Sequence, residues 1–413
     1  MIERRIKIQK KRIETIDVLR GFALLGILYA HIIIWYTGAA LPSEVYFKYT
    51  GIFDGVAMGI FGGLVFGKFF SVFSFLFGLG FYIHFGQSRG NPNFVPTYVW
   101  RLLLLFFIGV VHHIVWRGDI LAIYAVLGML LLGFRKLPAH LILVLSLVLI
   151  INLPTHIYDL FSEENPTSAI GLPMEEEAEA YYVLIKNAGF LSVLEENWNS
   201  WPAKIAYQLQ SGRLLMTFGF FLLGFYGGST IMFTHIRTNL SEFFRWNKIT
   251  GKIAFILLLK GLVMYLAGLV TLPEINIAPG YKWILAFLFD IYNACLTIFY
   301  ITGIVILYRS RVFYNILKPL GIMGRMALTN YLLQTAFGLL IFYQFGLGLF
   351  DQTSPGLNML IMGVIFFLQI YFSKWWLARY AQGPVEWFWR SLTYFKFSPL
   401  KNTSPKAQTI PVE

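Results

Sequence analysis

Val18-Leu19-Arg20-Gly21-Phe22-Ala23-Leu24-Leu25-Gly26-Ile27-Leu28-Tyr29-Ala30-His31-Ile32-Ile33-Ile34 holds one ionisable side chain near its start and one near its end. A hydrocarbon core of ~30 Å needs ~20 apolar residues at 1.5 Å each, and this run is of that size. The basic cluster Arg4, Arg5, Lys7, Lys10, Lys11 and Arg12 leads into it without a small-residue cleavage site, so the first helix is expected to remain as an anchor. Comparable apolar runs begin near Lys68, Tyr98, Asp119, Ala139, Arg213, Thr250, Tyr281, Leu317 and Gly356. The window 52–67 is shorter and follows the first run closely, which suggests an interfacial or re-entrant piece. Gly55, Gly59, Gly63 and Gly67 recur there every four residues, as packing small residues do.

The composition agrees. Hydrophobic residues make up 57% and charged residues 13% of the 413, against roughly 25% charged in soluble proteins. The expected fold class is therefore all-α, a polytopic membrane protein of about ten transmembrane helices with no soluble domain. The net charge of +12 comes from short clusters between apolar runs, which fits membrane topology and not nucleic-acid binding. Arg89 with Arg101, Arg135 with Lys136, the Arg237, Arg245, Lys248, Lys252 group, Arg309 with Arg311 and Lys318, and the tail after Trp375 fall on the side of the N-terminus. The longest opposite loop carries Asp159, Glu163, Glu164, Glu175, Glu176, Glu177, Glu179, Glu195 and Glu196. Both termini are thus expected in the cytoplasm of a cell whose plasma membrane holds the chain. The expected divisions are N-terminal helices over 1–155, an acidic extracytoplasmic loop over 156–211 with amphipathic helices, further spans over 212–376, and a basic tail over 377–413. The single cysteine, Cys295, rules out an intramolecular disulfide and a cysteine metal cluster.

Ionisable groups inside spans need a partner or a wet cavity. Arg20 and His31, eleven residues apart, share one helix face about 16 Å apart along the axis, and Asp17 sits one turn before Arg20 as an ion-pair partner or interfacial anchor. The third run delivers His112 and His113, of which one can face inward, and Asp119 follows. A His with a carboxylate is the minimum equipment for general-base chemistry, while Asp119 is equally suited to cap the next helix. Asp54 and Tyr124 are candidates to join that group. Lys260 and Asp290 fall at similar depths mid-span and read as a buried pair, structural or on a transport path. Arg325, Thr329, Asn330 and Gln334 add polar groups to the ninth run, the two amides one turn apart and suited to interhelical hydrogen bonds. No P-loop, dinucleotide fingerprint, HExxH helix or GxSxG elbow is present.

Three stretches carry a resemblance: Ile16-Asp17-Val18-Leu19-Arg20-Gly21-Phe22-Ala23-Leu24-Leu25-Gly26, Gly324-Arg325-Met326-Ala327-Leu328-Thr329-Asn330-Tyr331, and Gly383-Pro384-Val385-Glu386-Trp387-Phe388-Trp389-Arg390. With Gly118-Asp119-Ile120-Leu121 and Tyr124-Ala125 they resemble the YeiB-like bacterial membrane proteins, a domain-of-unknown-function family, over nearly the whole chain. Its first helix is similar to that of transmembrane acyltransferases, including the acyltransferase-three group, in which an Arg is followed, after ten residues, by a catalytic His; Arg20 and His31 match that spacing. The resemblance implies an acyl donor such as acyl-CoA reaching Arg20, with Asp17 and Lys68 beside it, from the cytoplasm, and no bound cofactor or metal. It also implies a histidine base acting on a glycan, lipid or small-molecule acceptor outside. Many YeiB-like relatives carry Asn where His31 stands, which makes His112 or His113 the better shared base. The alternative is a transporter with its polar path at Lys260 and Asp290; a receptor or scaffold using the acidic loop is a third reading.

Overall fold

The computed structural model describes residues 12–39, 41–88, 91–161, 175–230, 232–233, 235–236, 238–266, 279–397 and 399–401. Arg4, Arg5, Lys7, Lys10, Lys11, Arg89, Glu163, Glu164 and Arg237 of the expectations above lie outside them. The described residues are helical, without a named strand. In chain order the helices are α1 (Glu14–Ile32), α2 (Ser43–Phe47), α3 (Ile52–Ile60), α4 (Phe69–Gln87), α5 (Phe94–Val115), α6 (Leu121–Phe134), α7 (Ala139–Ile150), α8 (Leu153–Phe161) and α9 (Glu175–Asn187). There follow α10 (Phe190–Asn199), α11 (Trp201–Gln210), α12 (Arg213–Ser229), α13 (Leu240–Leu266), α14 (Pro279–Arg309), α15 (Arg311–Gly324), α16 (Ala327–Phe342), α17 (Pro355–Leu377) and α18 (Pro384–Tyr394).

The chain is inside-out relative to a soluble protein. On α17, Phe367 is 69% exposed while Gln369, two residues on, is 1% exposed, and Asn358 and Ser373 are buried with it. Leu103, Phe107 and Val111 likewise form an outward stripe on α5 at helical spacing. Contiguous apolar surface with polar groups turned inward is what a lipid solvent selects. Five helical stretches are long and apolar enough to cross a membrane, and six if α7 and α8, bent by 47°, count as one broken span; α6 and α16 are shorter apolar helices. The ninth apolar run is two helices, α15 and α16, divided at Arg325 and Met326.

By length and composition the window 52–67 runs on into the next apolar helix. A π-helical turn, Phe61–Val65, joins α3 to α4, and Ile52–Gly86 forms one candidate span. Gly67, at φ 82°, takes the left-handed conformation that lets the chain re-enter a helix there. The pairs α1 with α15, α4 with α12, α7 with α12, α5 with α6 and α13 with α14 make the principal contacts. Close approach is built in: a Cβ on Gly21 would sit 2.0 Å from the Leu320 carbonyl oxygen, and one on Gly324 would sit 1.9 Å from that of Asp17, so α1 and α15 touch backbone to backbone.

Two ends are thereby defined. One collects Arg12, Asp17, Arg20, Arg101, Arg325 and α18. The other collects the turn after α1, the α5–α6 connection, and the acidic loop, whose described part folds into α9, α10 and α11.

Candidate functional site

Two turns place the first ionisable group. Helix α5 ends at Val115, Trp116 turns extended, and residues 117–120 return the chain into α6. The Asp119 carboxylate accepts the Leu121 and Ala122 amides, each at 3.1 Å, so it caps the first turn of α6. It also accepts from His112 Nδ1 at 2.8 Å. Both readings of Asp119, cap and histidine partner, therefore hold at once. A carboxylate already receiving two amides is acceptor-only, so His112 Nδ1 donates to it and Nε2 is the nitrogen left to face α16. Thr335 Oγ1, on α16, stands 2.9 Å from Nε2, and Tyr36 Oη stands 3.4 Å from Thr335 Oγ1.

An aromatic box surrounds this chain of bonds. Trp116 is fully buried and donates Nε1–H to the Tyr36 carbonyl at 2.7 Å. Its ring meets His31 at 4.6 Å, Tyr36 at 4.8 Å and His112 at 5.7 Å, while Tyr331 lies 5.1 Å from His112. His31 is half-buried at the end of α1, and its imidazole makes no side-chain hydrogen bond among the described residues. Trp35 and Tyr36 both hold positive φ, 52° and 59°, a conformation bulky residues adopt only where the surroundings impose it. Gly338 makes room: a Cβ there would lie 2.2 Å from the Tyr36 ring.

His113 faces the other way, because adjacent residues on a helix point about 100° apart. Its ring packs at a tilt against Trp201, centroids 4.0 Å apart, and Nδ1 accepts from Lys204 Nζ at 3.0 Å. Lys204 also donates to the Asp119 carbonyl at 2.5 Å and the Arg117 carbonyl at 3.2 Å. Burial among these groups pushes the Lys204 ammonium down to about 8. Asn197 reaches the Ile114 carbonyl, Tyr181 the Thr37 carbonyl, and Arg117 lies 4.2 Å over the Tyr181 ring while pairing with Glu177 at 3.3 Å. The loop helices thus roof the histidines.

At the opposite end Arg20 pairs with Asp17 at 3.0 Å, and Asp17 also receives Arg12. The Arg20 side chain keeps 33% of its surface, beside Gly80 of α4. Arg101 lies within electrostatic reach of Arg20 and Arg390 and stacks on Trp389 at 4.2 Å. Five arginines, counting Arg12 and Arg325, meet three carboxylates here, Glu14, Asp17 and Glu386, and the last is committed elsewhere. Glu386 accepts the Leu328 and Thr329 amides at 2.7 and 3.0 Å and the Thr329 hydroxyl at 2.5 Å, clamping α18 onto the first turn of α16.

Several sequence candidates are not brought together. Asp290 accepts from His156 Nε2 at 2.9 Å and Asn152 Nδ2 at 3.4 Å, whereas Lys260 lies exposed on α13; similar depth did not mean facing azimuths. Lys68 is not beside Arg20: it is fully buried, 3.4 Å from the Gly62 carbonyl and over the Tyr292 ring at 4.7 Å. Tyr124 bonds Ser74 and the Phe70 carbonyl on α4, and Asp54 accepts the Gly356 amide at 2.8 Å, so neither joins His112. Asn330 and Gln334 bond Ser373 and Gln369 of α17. Thr335, Tyr36, Trp116, Lys204 and His156 are the residues that sequence reasoning missed. Of these only Thr335 carried a usable signal, one residue beyond Gln334 in an apolar helix. Among the described residues no three His, Cys, Asp or Glu side chains are placed to hold a metal.

Residues 237–396 match the family model described as "Protein of unknown function (DUF418)". The chain is also similar to "Uncharacterized protein YxaH" of Bacillus subtilis (strain 168), 28% identical over 410 residues covering 94% of this chain and 96% of the relative. It is similar to "Uncharacterized 39.9 kDa protein in amylase 3'region" of Bacillus acidopullulyticus, 28% identical over 94% of this chain and 96% of that one. It matches "Uncharacterized protein YeiB" of Escherichia coli (strain K12) at 27% identity over 92% and 95% of the two chains. The family match holds α16 and the Glu386 clamp, while the end-to-end relatives extend over the helices of His112 and Asp119.

Proposed function

We propose, from the premise that this chain belongs to the DUF418, YeiB-like family of helical membrane proteins, that it is an acyltransferase of the bacterial plasma membrane. It takes an acyl group from a cytoplasmic acyl-CoA and delivers it to an extracytoplasmic glycan, lipid or small-molecule acceptor. The observation that carries this reading is His112, with the Asp119 carboxylate on Nδ1 and a hydroxyl 2.9 Å from Nε2, the arrangement of a carboxylate-oriented histidine base. The arginine end supports a cytoplasmic donor site with both termini on that side, since basic residues concentrate on the cytoplasmic face and guanidinium groups bind phosphate. Arg20 stays partly accessible there despite its pairing with Asp17. The acidic, aromatic roof of α9–α11 supports acceptor entry at the other face. Transport loses the buried Lys260–Asp290 pair on which it rested.

Binding of acetyl-, octanoyl- and palmitoyl-CoA to purified protein in detergent, by calorimetry, tests the reading. Arg20→Ala is expected to weaken binding about 10-fold, equivalent to one charge-assisted contact of about 1.4 kcal/mol. His112→Ala and His31→Ala are expected to bind, with His112→Ala failing to transfer. Folded wild-type protein that binds none of the three is not an acyl-CoA enzyme.

A further inference from the structure

We propose that Thr335 is the covalent nucleophile of this site, forming with His112 and Asp119 a Thr–His–Asp triad that carries the acyl group as an ester between donor and acceptor. This rests on the acyl-transfer reading and adds a two-step course to it. The hydroxyl is 2.9 Å from His112 Nε2 and the carboxylate 2.8 Å from Nδ1, the reach that links nucleophile, base and orienting acid in hydroxyl-dependent acyl transfer. A threonine within a helix ordinarily returns its hydroxyl to the carbonyl one turn back, as Thr297, Thr302 and Thr217 do here. Thr335 instead aims its oxygen across to α5, where His112 Nε2 faces it at 2.9 Å. The hydroxyl at hand to donate to the developing oxyanion is Tyr36 Oη, 3.4 Å from Thr335 Oγ1.

The steps balance. Thr335 Oγ1 gives its proton to His112 Nε2 and bonds the thioester carbon; the carbon–sulfur bond breaks, and the leaving thiolate takes that proton to depart as CoA. The acceptor hydroxyl or amine then gives its proton to Nε2 and attacks the ester carbon, and Thr335 Oγ1 leaves with the proton from His112. Asp119 stays ionised throughout.

The test is to incubate the full-length protein with isotopically labelled acetyl-CoA and octanoyl-CoA without acceptor, quench in acid, and map the label by peptide mass spectrometry. Wild type and Thr335→Ser are expected to carry one acyl group at position 335. Thr335→Val and His112→Ala are expected to carry none and to lose turnover by about 10³-fold or more, as removal of a triad member does. Label on wild-type Thr335 is independent of whether the valine variant folds. Wild type that releases CoA yet shows no label at 335 at any quench time, or Thr335→Val that keeps turnover within tenfold, overturns the covalent step and leaves direct transfer to His112-activated acceptor. Wild type that releases no CoA from either donor removes the acyl-transfer reading and this proposal with it.

Discussion

Replacing Asp119 by Asn separates the two duties of that carboxylate. It receives three N–H groups, from His112, Leu121 and Ala122, and is 2% exposed. The single carbonyl oxygen of Asn can keep at most two of these donors, so one N–H must face the new amide NH₂. Losing one charge-assisted bond and leaving a buried donor unpaired costs about 2–4 kcal/mol. Over 413 residues, at ~2 cal/mol/K per residue of unfolding entropy, this corresponds to a melting shift of roughly 2–5 °C. The kinetic effect is larger in kind. If the NH₂ faces His112, the proton moves to Nε2, which can then no longer accept from Thr335 or from an acceptor; the equivalent change in a serine triad lowers kcat about 10⁴-fold. CoA release by wild type and Asp119→Asn in nanodiscs, beside thermal unfolding of both, measures the two effects separately. A variant that melts a few degrees lower but turns over within tenfold of wild type would refute the reasoning, leaving Asp119 as a helix cap alone.

Glu386→Gln should cost about 1–3 kcal/mol, because the amide forfeits charge-assisted acceptance from the Leu328 and Thr329 amides and the Thr329 hydroxyl; a lower melting temperature with faster exchange in the first turn of α16 checks it. Lys204→Met removes three hydrogen bonds from the roof and should raise amide exchange in α11 about tenfold or more. The same lysine sets a pH dependence: undocked it holds its proton to 10.5, docked only to about 8, so between those values the undocked state binds more protons and docking strengthens as pH rises. Exchange protection in α11 that falls between pH 8 and pH 10, after correction for intrinsic rates, would contradict this. Asp290→Ala should destabilise by about 3–5 kcal/mol by stranding His156, and Lys260→Ala by under about 0.5 kcal/mol, read as detergent melting curves.

Much of this architecture is legible in the chain because lipid imposes a one-dimensional rule. Span-length apolar runs announce themselves, and Asp17 finds Arg20 because one helical turn places them together. Asp119 is within reach of His112 because seven residues with a turn at Trp116–Gly118 bring the chain back on itself. Depth is readable in this way; azimuth is not. Lys260 and Asp290 sit at similar levels, yet rotation of α13 and α14 sends one outward and the other to His156. The π-helical turn at Phe61–Val65 has no periodic signature, so how the window 52–67 joins α4 is not legible in the chain. Thr335 meets His112 across 223 positions, a contact decided by how α16 docks against α5 and invisible to any local pattern.

The Glu386 clamp has a temporal meaning. Helix α16 presents Thr335, yet the acceptor for its first-turn amides is supplied by residues translated after every described span. Until Gly383–Glu386 emerges and folds back, α16 has a frayed start, and the register that sets Thr335 opposite His112 is unsecured. If the chain transfers acyl groups as proposed, a chain still inserting into the membrane cannot load them before this closing contact forms.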